Sequence, residues 1–136
     1  MTVHFQITGY LLMILAIVHV MFPRYFNWRK ELKGVSLINR QMMYIHTLFI
    51  GLAVFLMGTL CISSADELVN TPLGNRICLG LCAFWSTRLV IQFVGYSSKL
   101  WKGKIFKTVI HVLFSILWAY ISWVFLMGCW PMYSLP

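Results

Sequence analysis

Four long apolar blocks decide what this chain can fold into. They run over about residues 3–22, 41–64, 73–96 and 105–130, filled by Leu, Ile, Val, Phe, Met and Trp without the alternation of a half-buried strand. A helix of about twenty residues is about 30 Å long, the thickness of the hydrocarbon layer of a bilayer. Inside that layer every backbone N–H and C=O must be satisfied within the protein, which an uninterrupted helix does and irregular chain does not. The blocks therefore predict an all-α integral membrane protein: a single transmembrane domain over 1–136, built as a four-helix transmembrane bundle. Composition agrees. The residues are 60% hydrophobic and 10% charged, against about 25% charged in soluble domains, so a soluble globule is excluded.

Local signals set the expected boundaries. Pro23 should close the first helix, because a proline inside a helix removes one hydrogen bond and crowds the carbonyl four residues earlier. No basic residue precedes this block and no small-x-small site follows it, so it reads as a span and not as a cleaved signal peptide. Asp66 and Glu67 mark a polar turn after the second block, and Asn70-Thr71-Pro72 combines a capping residue with a proline in the first turn of the third. The segment 24–39 interleaves Arg24, Arg29, Lys30 and Lys33 with Tyr25, Phe26 and Trp28, a mixture suited to the water–lipid interface.

Lys and Arg number 11 against 3 acids, a formal charge of +8. In a soluble chain that balance would suggest a nucleic-acid partner. Here the charges lie in the connections, within reach of lipid phosphates, and nucleic-acid binding is not expected. The first connection, with Arg40 included, holds five basic residues, and the third holds Lys99, Lys102, Lys104 and Lys107. Arg76 stands against Asp66 and Glu67 in the second. The positive-inside rule then puts the first and third connections in the cytoplasm and both termini outside, as in a bacterial inner membrane, with sequential helices antiparallel. No P-loop, GxGxxG turn or EF-hand loop is present, and three acids cannot furnish paired catalytic carboxylates in several places. Any chemistry falls to His, Arg, Cys, Tyr and Gln.

On that topology, depth follows from the rise of a helix. His19 precedes Pro23 by four residues, His46 follows Gln41 by five and His111 follows Lys107 by four. All three imidazoles are then expected roughly 6–8 Å inside the cytoplasmic boundary, with Gln92 about 10 Å and Arg88 about 16 Å deep. Cys78, Cys82, Trp85, Arg88, Gln92 and Tyr96 make one stripe at three- and four-residue steps, and Thr108, His111, Ser115, Trp118 and Ser122 make another on the fourth block. Polar stripes on helices this apolar should turn from lipid toward a shared pocket near the cytoplasmic face. Arg88 is the sharpest residue. A charge at the centre of a span costs at least about 2.5 kcal/mol on insertion scales. No acid lies within a block to pair with it, so a carbonyl, water, an aromatic face or an anionic ligand must answer it. The plainer alternative is that these groups hydrogen-bond between helices. His4, at the far end of the first block, carries no expected role.

Cys61, Cys78, Cys82 and Cys129 gather at the outer end, where a bridge from Cys61 to Cys78 or Cys129 and a set of packed thiols are the two readings. No CxxC pair is present, which argues against thiol redox chemistry. The 8 Met residues have no ligand-like spacing and read as packing. Gly51 and Gly58, seven apart, suit a close helix contact.

The histidine layer gives the leading expectation: a small membrane-embedded redox or cofactor-binding protein, an oxidoreductase holding haem b or a transition metal on His19, His46 and His111. Arg40 and Arg88 could neutralise haem propionates, and a quinone would also suit a Trp- and Phe-rich pocket completed by Gln92 and Tyr96. In architecture the chain resembles small four-helix membrane haem proteins, including the membrane-bound protoporphyrinogen oxidase family, whose motifs it lacks. A second resemblance rests on Arg40 entering the second block, with Arg88 and Tyr96 eight apart on the third. In layout this looks like the membrane-associated eicosanoid and glutathione metabolism family. That resemblance implies a transferase in which Arg88 holds the carboxylate of a thiol cofactor and Tyr96 stabilises a thiolate, in a homo-oligomer that is trimeric in that family. The family's Arg-Ala-His pattern followed by Asn and Glu is replaced here by Arg40-Gln41-Met42-Met43-Tyr44-Ile45-His46, with no Glu after it. A third reading is a non-catalytic membrane subunit. The expected partners are the lipid bilayer and a small molecule or redox partner.

Overall fold

The computed structural model describes residues 1–130. In chain order its α-helices are α1 (Thr2–Tyr25), α2 (Trp28–Glu31), α3 (Leu37–Ser63), α4 (Ala65–Asn70), α5 (Pro72–Val94) and α6 (Ile105–Cys129), with single 3-10 turns at Leu32–Gly34 and Ser98–Leu100. No strand occurs among the described residues. The helices α1, α3, α5 and α6 have 24, 27, 23 and 25 residues and are long and apolar enough to cross a membrane. At the rise of an α-helix they are about 35–40 Å long, more than the hydrocarbon layer requires.

Three boundaries differ from the sequence expectation, each for a local reason. Pro23 does not stop α1, which continues to Tyr25. A proline so close to a helix end removes only one of the last bonds, and the Phe26 N–H still donates to the Phe22 carbonyl at 3.0 Å. The turn comes at Asn27, whose φ of 51° is the left-handed conformation that Asn tolerates better than most residues. The second span begins four residues early, at Leu37, because Ser36 is extended and its carbonyl accepts the Arg40 N–H at 2.9 Å. Arg40 therefore sits within the helix and not in a loop. The third span closes at Val94, where the Gly95 N–H donates to the Ile91 carbonyl at 2.8 Å, so Tyr96 lies just past the helix. Its start is as expected: Pro72 occupies the first turn, and the Thr71 hydroxyl accepts the Gly74 N–H at 2.9 Å. Asp66 and Glu67, read as a turn, belong to the short helix α4.

The chain groups into two compact units, one of Phe5–Ala65 and one of Met1–His4 with the chain from Asp66 onward. In the first, α1 meets α3 at paired glycines. A Cβ built on Gly58 would stand 2.8 Å from the Gly9 carbonyl oxygen, and one on Gly9 2.8 Å from that of Gly58. Further along, a Cβ on Gly51 would stand 3.3 Å from the His19 Cβ. In the second, α5 meets α6 through an amide and two rings. The buried Asn75 side chain donates to the carbonyls of Leu68, Val69 and Gly128 at 3.3, 3.1 and 3.0 Å. Trp85 stacks on Trp118 with centroids 5.2 Å apart. At the start of the chain the Thr2 hydroxyl donates to Asp66 at 3.0 Å, and His4 Nδ1 lies 3.0 Å from the Tyr120 hydroxyl.

Burial is uneven along each span. The buried residues of α1 fall between Phe5 and Ala16, those of α3 between Gly51 and Cys61, and those of α6 from Trp118 onward. Residues 17–25, 37–50 and 105–117, which adjoin the basic connections, include none. The polar residues singled out by sequence lie in or beside these open stretches.

Candidate functional site

Three side chains of the second unit form a hydrogen-bonded relay across α5 and α6. Arg88 Nη1 donates to Gln92 Oε1 at 3.2 Å, and Gln92 Nε2 lies 2.9 Å from His111 Nδ1. The spacing explains the geometry. Arg88 and Gln92 are four apart on α5 and so lie one above the other. Arg88 stands six residues before the end of α5 at Val94, and His111 six residues after the start of α6 at Ile105. Both are therefore about 9 Å from their helix ends, which revises the greater depth expected for Arg88: the helix stops at Val94, so residues 95–99 add no helical rise.

The proton positions in this relay follow from chemistry. A guanidinium only donates, so Gln92 must turn its oxygen to Arg88 and its NH2 to His111. His111 Nδ1 must then accept, which makes the imidazole neutral with its proton on Nε2. The ring is fixed by contacts as well: it stacks on Trp101 with centroids 4.0 Å apart and planes 10° from parallel, and meets the edge of Phe93 at 5.8 Å. Gln92 is 7% exposed.

Arg88 lies over aromatic faces, 4.9 Å from the Trp118 ring and 5.8 Å from that of Tyr96. Such cation–π contacts are each worth about 0.5–2 kcal/mol, more when dry. Gln92, Trp118 and Tyr96 are the partners the structure gives it, and no carboxylate among the described residues is one of them. The Ser122 hydroxyl on α6, which can donate or accept, is buried without a hydrogen-bond partner among the described residues. The Nε1–H groups of Trp85 and Trp118 are buried without a hydrogen-bond partner among the described residues, and His111 carries a further N–H on Nε2.

The remaining sequence-nominated residues lie in the first unit. His19, six residues from the end of α1, donates from Nδ1 to the Leu15 carbonyl at 2.8 Å, which leaves Nε2 as an acceptor. It lines a mostly apolar groove of about 290 Å³ with Val20, Pro23, Tyr44, Ile45, Thr47 and Leu48. His46 is exposed on α3, nine residues into that helix, and does not line the groove. Arg40 is half-buried in the first turn of the same helix.

No group of three His, Cys, Asp or Glu able to hold a metal ion occurs among the described residues. The His111 tautomer also disfavours ligation, since Nε2 could bind a metal only after the proton moved to Nδ1, against the Gln92 donor. The four cysteines are thiols, and Cys61, Cys78 and Cys129 are buried; Cys78 Sγ lies 3.6 Å from the Leu68 carbonyl.

Two participants escaped the sequence reading. Trp101 sits in a lysine-rich connection, and nothing but its size marks it as a stacking partner for a histidine ten residues on. Asn75 is the other, although an amide at the head of an apolar run is the signal that could have found it. No protein-family model, curated protein or solved structure matches the chain.

Proposed function

We propose that the chain is a multi-pass membrane protein that binds a small molecule bearing an oxyanion, a cofactor or an amphipathic substrate, with Arg88 as the anion contact. One observation carries this reading: no carboxylate among the described residues answers the Arg88 guanidinium, whose partners are an amide oxygen and two ring faces. Only one of the five guanidinium N–H groups is used by Gln92. A bound carboxylate, phosphate or sulfonate would accept from the others, as paired Arg–oxyanion contacts do. The faces of Trp118 and Tyr96 suit an apolar body on the same ligand.

The proposed topology is an antiparallel four-helix bundle with both termini outside and the relay in the cytoplasmic leaflet. Contact order supports the antiparallel hairpins. Gly9 pairs with Gly58 and His19 with Gly51, while Asn75, Trp85 and Gln92 meet Gly128, Trp118 and His111 in turn. The positive-inside count supports the orientation, and a bacterial inner membrane is the location proposed. A haem or metal on His19, His46 and His111 is the weaker reading, for want of a ligand set and because of the His111 tautomer.

The test uses protein reconstituted in phosphatidylcholine nanodiscs and two probes of equal chain length, a bromine-labelled alkyl sulfonate and the corresponding alcohol. Bromine quenches tryptophan on contact. The sulfonate should quench saturably and more strongly than the alcohol, and Trp118→Phe should remove most of the difference. Equal quenching by both probes would refute the anion reading.

A further inference from the structure

The relay does more than hold Arg88, because its direction depends on the charge of His111. We propose that His111 couples anion binding at Arg88 to the uptake of one proton, an inference that rests on the anion-binding reading above. With His111 neutral, each link is a donor meeting an acceptor: Arg88 to Gln92 Oε1 at 3.2 Å, and Gln92 Nε2 to His111 Nδ1 at 2.9 Å. A proton taken from solvent onto Nδ1 turns that atom into a donor facing a donor. Rotation of the Gln92 amide repairs the His111 contact by offering Oε1, and by the same motion aims NH2 at the Arg88 guanidinium. The amide has one oxygen, so it cannot serve two cationic donors on opposite sides.

An anion resolves the conflict. Its oxygens accept the Arg88 N–H that Gln92 has abandoned, and its charge offsets the second positive charge. Among the described residues, the elements packed around His111 supply no such compensation. The charged groups on the elements packed around His111 are all cations: Arg88 and, at the far end, Arg76 on α5, Lys99, Lys102 and Lys104 in the connection that carries Trp101, and Lys107 one turn earlier on α6. The sign is fixed. The anion binds more tightly to the protonated protein, so affinity rises as pH falls through the histidine range, and by reciprocity binding of the anion draws in a proton. No bond of the ligand is made or broken.

The experiment measures binding of the bromine-labelled alkyl sulfonate to full-length protein in phosphatidylcholine nanodiscs between about pH 8 and pH 5.5, the span over which histidines change charge. A sulfonate stays ionised throughout, so the probe contributes no titration. Affinity should increase by at least about tenfold toward the acid end, within the range of site-to-site couplings. Calorimetry in two buffers of different ionisation enthalpy should register proton uptake on binding. His111→Asn keeps an acceptor for Gln92 and cannot be protonated in this range; whatever its affinity, sulfonate binding should show no pH dependence and take up no proton. Saturable, sulfonate-specific binding that is flat with pH, or a dependence that survives in His111→Asn, overturns the coupling and leaves the anion site standing. No preference for sulfonate at any pH removes both. Should His111→Asn fail to fold, the two-buffer measurement on the native protein decides, with zero uptake as the refuting result.

Discussion

Gly58→Ala is a severe test of the helix contact in the first unit, because the added methyl has a backbone atom in its way. The new Cβ would stand 2.8 Å from the Gly9 carbonyl oxygen and 3.2 Å from both the Leu12 Cβ and the Met13 Cγ. Relief needs a rigid shift of α1 against α3 by about half an ångström, since a carbonyl cannot swing aside as a side-chain tip can. Overpacking of that kind costs about 1–3 kcal/mol. The same substitution restores about 0.8–1 kcal/mol of helix propensity, for a net loss of about 0–2 kcal/mol. Gly80→Ala is the matched control: nothing lies within 4 Å of a Cβ there, so propensity acts alone and the sign reverses. The pair should therefore differ by about 1–3 kcal/mol. A thiol-reactive fluorogenic maleimide read against temperature measures this directly, because Cys61 is buried one turn beyond Gly58. Gly58→Ala should melt several degrees below Gly80→Ala. Equal melting temperatures, or Gly58→Ala the more stable, would refute the close contact.

Three other outcomes are expected. Asn75→Leu removes a donor shared by two buried carbonyls and a part-buried one and should cost about 2–4 kcal/mol in the same melting assay; a neutral result would mean those carbonyls find other partners. Arg88→Lys keeps the charge without the planar fork, so sulfonate affinity should fall about tenfold while the melting temperature holds; unchanged affinity would reduce the contact to bulk electrostatics. Cysteines introduced at Lys102 and at Glu67 should react with a membrane-impermeant maleimide from the inside and the outside of cells respectively, and the reverse labelling would invert the topology.

The four spans were legible because twenty apolar residues in a row have few other solutions. Their ends were less so. Pro23 carries a strong stop signal that loses force near a helix end, and the run Leu37–Arg40 is helical although its polar members hide it from a hydropathy reading. At the site, the four-residue step from Arg88 to Gln92 is visible in the sequence, and the pairing with His111 follows once α5 and α6 adjoin. The equal depth assigned to His19, His46 and His111 depended on helix ends set by Pro23, Gln41 and Lys107. With the observed ends, His19 and His111 each lie six residues from theirs and His46 lies nine from its own. Tautomers were beyond reach of sequence, because they are set by the partner of each ring nitrogen: a carbonyl for His19 and an amide N–H for His111.

The claim that Arg88 is an anion contact and not a structural strut is tested most directly by sulfonate binding to Arg88→Met. Methionine removes the charge, the Gln92 bond and the cation–π contacts, together worth about 2–5 kcal/mol, and also removes an insertion cost that is about 2.5–3.5 kcal/mol at a helix centre and smaller toward the end where Arg88 lies. Folding should therefore survive with little change in melting temperature. The preference for bromine-labelled sulfonate over the alcohol should disappear. Retained sulfonate preference in a folded Arg88→Met protein would contradict the account, as would unfolding of that variant in the absence of any ligand.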